Sequence, residues 1–234
     1  MLCKQKRFFF GAILTAVILV GCGGSGDGEG SIDVAEYMPQ EDVNQTYRTY
    51  TQWGTAPERE STYDQNTTVQ ETATGMIVVS LVNGIEVKRD IVYKNNVTSV
   101  SAFGGFDMAS DRYVDVGETF LYFSREMDLG GGIRPTVTLE CTLESQLDNF
   151  SSHGHSYAGE ILKIQCVYSS TDIEIDGVTY HPYSLTYRYI QKGVGVIAEI
   201  EDHCSVAAEV NLDNDRNLDT CTAALRHHQY RFLE

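Results

Sequence analysis

The sequence predicts an all-β protein, an antiparallel meander forming a barrel or half-barrel of roughly ten to twelve strands. Three observations carry this. Apolar and polar residues alternate with period two along much of the chain, and helical periodicity is nearly absent. The dipeptides Asn83-Gly84 and Asp176-Gly177 lie between apolar runs, and both turn residues accept positive φ, which makes them strong hairpin signals. The 14 tyrosines, with many Val, Ile and Thr, suit a pleated, half-buried surface.

Taken in order, residues 31–45 read as an irregular lead-in. Thr46 to Trp53 reads as a first strand, Gly54 to Asn66 as a polar loop and Val69 to Ala73 as a short pairing strand. Met76–Val82 and Ile85–Tyr93 flank Asn83-Gly84 as a hairpin. Asn95-Asn96 turns the chain into Val97–Phe103, which Gly104-Gly105 ends. Thr119–Phe123 is a short apolar strand, and Gly130-Gly131-Gly132 a connection. Val137, Leu139, Cys141 and Leu143 alternate against Thr136, Thr138, Glu140, Thr142 and Glu144. Leu162, Ile164, Cys166 and Tyr168 alternate against Lys163 and Gln165. Ile173 and Ile175 lead through Asp176-Gly177 to Val178–Tyr180. Tyr183, Leu185, Tyr187 and Tyr189 share one strand face. Lys192-Gly193-Val194-Gly195 bends the chain into Val196–Ile200. Val206–Val210 reads as another strand, Asp219–Arg226 as a helical turn and Gln229–Leu233 as a closing strand.

The N-terminus carries an address. Lys4, Lys6 and Arg7 precede the apolar run Phe8–Val20, too short for a comfortable span of about 20 residues but fitting a cleaved secretory signal. Leu19-Val20-Gly21-Cys22 resembles a bacterial lipobox. That resemblance implies lipid modification of Cys22, which becomes the mature N-terminus. Residues 1–21 are then the signal, 22–45 a lipidated cysteine with a Gly/Ser/acidic tether, and 46–234 one β-rich domain. Gly23 follows the cysteine where Gram-negative lipoproteins retained at the inner membrane commonly have Asp, so the resemblance favours the outer membrane for a Gram-negative host. Tyr187-Arg188-Tyr189-Ile190-Gln191-Lys192-Gly193-Val194-Gly195-Val196-Ile197 is similar to an aromatic-x-x-Gly-Val-Gly-aliphatic segment of secreted bacterial β-sheet lipoproteins, which again favours an envelope β-domain.

Losing Lys4, Lys6 and Arg7 with the signal takes the net charge from −16 to −19. Such a surface repels phosphate backbones, so a nucleic-acid partner is excluded. The expected partners are a membrane, through the N-terminal lipid, and an envelope protein or lipid. With Cys22 lipidated and Cys3 removed, Cys141, Cys166, Cys204 and Cys221 remain. Export permits disulfides, and four cysteines allow three connectivities. The core-facing positions of Cys141 and Cys166 favour their pairing, leaving Cys204 with Cys221.

Oxygen side chains recur at Asn211, Asp213, Asp215, Asn217 and Asp219, two residues before Cys221. The segment resembles the calcium loops of EF-hand and thrombospondin type 3 repeats, and calcium takes six to eight hard oxygen ligands. Arg216, Leu218 and Ala224 depart from those patterns, and the alternative is a solvated turn loop. His153-Gly154-His155, with His203, His227 and His228, has no zinc-site spacing and reads as a surface loop. No Gly-x-Ser-x-Gly elbow, Ser-x-x-Lys or phosphate loop is present. The sequence therefore reads as a non-enzymatic envelope lipoprotein with a binding or structural domain. One alternative is a lipid or lipoprotein carrier, with Tyr183–Tyr189, Trp53 and Phe123 around an apolar cavity. The other is an envelope hydrolase whose site has no recognised motif.

Overall fold

A computed structural model describes residues 30–73, 75–82, 85–94, 97–102, 106–126, 134–175, 178–207 and 226–234. Cys22 and the expected signal, the expected turns at 83–84, 95–96 and 176–177, the glycines 104–105 and 130–132, and the aspartate-rich segment with Cys221 lie outside these residues.

The protein is all-β and antiparallel, as the alternation predicts. After β1 (Ile32–Asp33) and one 3-10 turn (Val34–Tyr37) come β2 (Val43–Trp53), β3 (Arg59–Thr72), β4 (Gly75–Val82), β5 (Ile85–Lys94), β6 (Val97–Ala102) and β7 (Phe106–Asp111). Then follow β8 (Tyr113–Val114), β9 (Thr119–Glu126), β10 (Thr136–Ser152), β11 (His155–Ser170), β12 (Ile173–Ile175), β13 (Val178–Gln191), β14 (Gly195–Ala207) and β15 (Arg226–Leu233). Thirteen of these strands form one sheet, in the order β11-β10-β9-β7-β6-β5-β4-β3-β2-β15-β14-β13-β12, and β11 also pairs with β13. The meander thus rolls back toward its own start. The β7–β9 joint is its seam, where a single pair, Ser110 with Leu121, is in register.

Four expectations are corrected. Gly54–Asn66 is not a loop: β3 begins at Arg59 and lies along β2 from Arg59–Thr51 to Thr67–Val43. Backbone pairing with β2, the Tyr47–Tyr63 stack and polar contacts such as Arg48–Glu60 hold a segment with no apolar alternation. The lead-in is not irregular either. Asp33 caps the 3-10 turn by accepting the Ala35 amide, and β2 starts at Val43. Val206 belongs to β14 rather than to a separate strand, and Arg226 opens β15 rather than closing a helical turn.

The inner face carries the larger core. Cys141, Leu143, Leu162, Ile164 and Cys166 pack with Val34, Tyr37 and Val114. Met38, in the same N-terminal segment, packs on Met76 and Val78 of β4. One short segment therefore touches β10–β11 and β4, distant in the strand order, and plugs one mouth of the roll. The outer face has its own core. The β10–β11 hairpin, bulged between Leu143 and Ser145 and between Leu147 and Asn149, folds back over β13–β15. Phe150 stacks on Tyr189 at 3.7 Å, beside Ile161, Ala198 and Phe232. Both faces of β11 are thus covered, which is why Ile161 and Leu162 are both fully buried.

Candidate functional site

The plugged mouth holds an open cavity of about 770 Å³ between the N-terminal segment, the β3–β4 turn and the β13–β14 turn. Asp33, Glu36, Glu71, Arg112, Lys192 and Met76 are among its walls. Local hydrogen bonds fix the frame: the Val34 amide donates to Arg112 O at 2.9 Å, and the Gly193 amide to Glu36 O at 2.9 Å. Arg112 forks onto Asp33, and Lys192 reaches Glu36 and Glu160, both at 2.9 Å. The hydrogen bonds that Lys192 donates to Glu36 and Glu160 raise its pKa and hold it charged. Both cations of the mouth are committed to carboxylates of this chain.

A second polar group lies deeper, on the inner face of β2, β3, β14 and β15. Arg231 Nη1 donates to Tyr63 Oη at 3.1 Å, and its guanidinium sits 5.2 Å over the Tyr47 ring. Glu199 lies 3.4 Å from Arg231 and accepts from Arg188 Nε at 2.7 Å. Burial works to lower the Arg231 pKa, but the Glu199 carboxylate and the two phenols outweigh it and raise it. Burial pushes Tyr47 up to about 12. Its hydroxyl donates to Val196 O at 2.8 Å, bridging across β15. This group is a neutral phenol and a paired charge network at rest, suited to fixing the curvature of the roll. Neither group has a sequence motif; the available signal is an arginine at an inward position of the Gln229–Leu233 alternation.

The histidines do not converge. His153 and His155, at the tip of the β10–β11 hairpin, contact Tyr50, Tyr230 and Phe232. His203 faces His227 across β14–β15, and His227 stacks on Trp53 at 3.8 Å. His228 Nδ1 pairs with Asp202 Oδ1, and Arg226 holds the other oxygen at 3.1 Å. Among the described residues no three His, Cys, Asp or Glu side chains are grouped to hold a metal ion. The candidate calcium residues Asn211, Asp213, Asp215, Asn217 and Asp219 lie outside the described residues.

The tyrosine stripe of β13 packs on the outer face rather than around a cavity: Tyr183 with Val167 and Cys204, Tyr189 beneath Phe150. Trp53 is exposed. Cys141 and Cys166, paired in register across β10 and β11, are disulfide-bonded with Cα atoms 4.1 Å apart. Cys204 is also disulfide-bonded, to a cysteine outside the described residues. No protein family, curated protein or solved structure matches this chain.

Proposed function

We propose that this chain is a lipid-anchored protein of the cell envelope, held by Cys22, whose rolled β-domain is a non-enzymatic binding or structural module. In a Gram-negative host the membrane is the outer one. The lipobox-like Leu19-Val20-Gly21-Cys22 and the glycine-rich tether support the anchor.

One structural observation supports it further. The segment directly behind the tether is locked into the mouth of the roll through Asp33, Val34 and Tyr37, so a lipid anchor would be joined mechanically to the core. Among the described residues no helix is long and apolar enough to cross a membrane. The lipid-carrier reading gains less support. The described cavity has charged walls, and Val34, Tyr37 and Val114 fill the apolar inner face of β10–β11.

The test is expression in a bacterial host with and without Cys22→Ser. The native chain should fractionate with membranes, carry a diacylglyceryl adduct by intact mass and accumulate as precursor under globomycin. The variant should remain unprocessed and unlipidated. Ordinary soluble processing of the native chain overturns the anchor.

A further inference from the structure

The mouth cavity has an uneven inventory of hydrogen-bonding groups. Its donors are largely spent. Arg112 gives Nε and Nη2 to the two oxygens of Asp33. Lys192 is shared by Glu36 and Glu160. The Gln40 side-chain nitrogen donates to Ala35 O and Met38 O, both at 2.9 Å, and the Gly193 amide to Glu36 O. Acceptors remain. Among the described residues, Glu71, near the end of β3, makes no side-chain hydrogen bond or ion pair, and Gln40 Oε1 accepts from nothing. Glu36 and Glu160 have one lysine between two carboxylates. Both of those pairs are about half exposed, so they are weakly held and Glu36 is open to a new partner.

This inventory selects a ligand class. A phosphate, a carboxylate or a fatty acid needs a cation, and Arg112 and Lys192 already serve carboxylates of this chain. A bare metal ion needs convergent ligands, and among the described residues no three His, Cys, Asp or Glu side chains are so grouped. What fits is a cation rich in N–H donors. The walls between the charges are apolar: Ala35, Ala73 and Met76. Met76 is buried and held in place by Met38, so this floor is fixed. The two available carboxylates stand on different elements, Glu36 on the 3-10 turn and Glu71 on β3. A ligand serving both has more than one positive centre, joined by an aliphatic body. The volume of about 770 Å³ falls in the range of small-molecule sites, roughly 300–1,000 Å³. The acidic chain draws such cations toward it.

We propose, on the reading of the domain as a binding module, that the mouth cavity binds a linear aliphatic polyamine. Its ammonium groups donate to Glu71, Glu36 and Gln40 Oε1, and its methylenes lie along Ala35, Ala73 and Met76. Bound in this way, it ties the segment behind the tether to the β3–β4 side of the mouth.

The probes are spermidine, n-butylamine and magnesium chloride, titrated calorimetrically into the full mature chain in nonionic micelles. Physiological ionic strength, with a Debye length of about 8 Å, screens diffuse attraction to the acidic chain. Spermidine should saturate one site at least about tenfold more tightly than n-butylamine, and excess magnesium should not displace it. Amide exchange in Val34–Met38 should slow when spermidine is bound. Glu71→Gln, at an exposed position without a side-chain partner among the described residues, should weaken binding about tenfold and leave the melting temperature unchanged. Glu58→Gln removes the same charge from an exposed position outside the cavity and should leave binding unchanged. Equal binding of n-butylamine, displacement by magnesium or equal losses in the two variants would mean simple counterion attraction. Any of these, undiminished binding by the Glu71 variant, or no saturable binding at all overturns the proposal. The adduct at Cys22 is decided separately by intact mass, so failure of the anchor and failure of this site are distinguishable.

Discussion

Arg112 grips Asp33 with two parallel hydrogen bonds, Nε to Oδ1 at 2.9 Å and Nη2 to Oδ2 at 2.8 Å, while Asp33 Oδ1 also accepts the Ala35 amide at 3.0 Å. The pair joins the segment behind the tether to the corner between β7 and β8. Both side chains are less than one-third exposed, so solvent screens the contact only in part. Hydrogen bonds to charged groups contribute about 1.5–3 kcal/mol each in net terms, less where exposed. Arg112→Ala should therefore cost about 2 kcal/mol. Amide exchange should rise first in Ile32–Tyr37. Urea unfolding with exchange measured by segment checks both, and uniform loosening of the whole sheet would refute the assigned role.

The Cys141–Cys166 disulfide closes a loop of 25 residues between two strands of the inner core. A loop of that length predicts about 3 kcal/mol of stabilisation through the unfolded chain. The double variant C141S/C166S should lower the melting temperature by about 10 °C, given roughly 2–4 °C per kcal/mol for a domain of this size. Differential scanning calorimetry on the variant is the measurement. A reducing agent is a poorer test, because the Cys204 disulfide would respond as well.

His153 and Gly154 form the tip of the β10–β11 hairpin with φ of 51° and 82°. Two successive positive φ values are the requirement of a type I′ turn, which Asn-Gly meets most cheaply. Histidine takes the first position at some backbone expense because its ring contacts Tyr50, Tyr230 and Phe232. A Cβ on Gly154 would meet nothing within 4 Å, so Gly154→Ala isolates the conformational term and should cost about 1 kcal/mol. His153→Asn should keep the turn and loosen the docked arm, visible as faster amide exchange in 149–158. An arm that stays equally protected would show that the ring contacts contribute nothing.

Strands with an apolar face were legible because their period records burial, and Val137–Leu143 and Leu162–Cys166 turn the alternating sets to the core as expected. β3 was not legible. Its first half, Arg59–Asp64, is exposed apart from Tyr63, and β4 pairs with it only from Gln65 onward, so no burial pattern exists to read. β7 was missed for a similar reason, since Phe106–Asp111 carries no alternation. The mouth cavity draws its walls from between residues 33 and 40, from 71–73 and 75–76, and from 112 and 192–193, and the pair that frames it joins residues 79 positions apart. Spacing along a chain does not encode such a meeting. His153-Gly154 hid a hairpin turn in plain view, because the aromatic contacts that justify histidine there come from β2 and β15.

Trp53 lies face to face with His227, ring centroids 3.8 Å apart and planes 22° from parallel. It is the only tryptophan of the chain, so its fluorescence reports this contact alone. Burial lowers the His227 pKa from 6.5, with His203 and His228 adding to the effect against Glu201 and Asp202. A lowered value means that the unfolded chain binds the proton more readily. The contribution of His227 to stability is therefore complete above pH 6.5 and is lost as pH falls through the folded value. Imidazolium quenches indole, so Trp53 emission should drop with a midpoint below 6.5. His227→Phe should keep the stack and abolish the midpoint. Its unfolding free energy should also vary less with pH on the acid side of 6.5. A midpoint above 6.5 in the native chain would mean that the acidic neighbours, rather than burial, govern the ring.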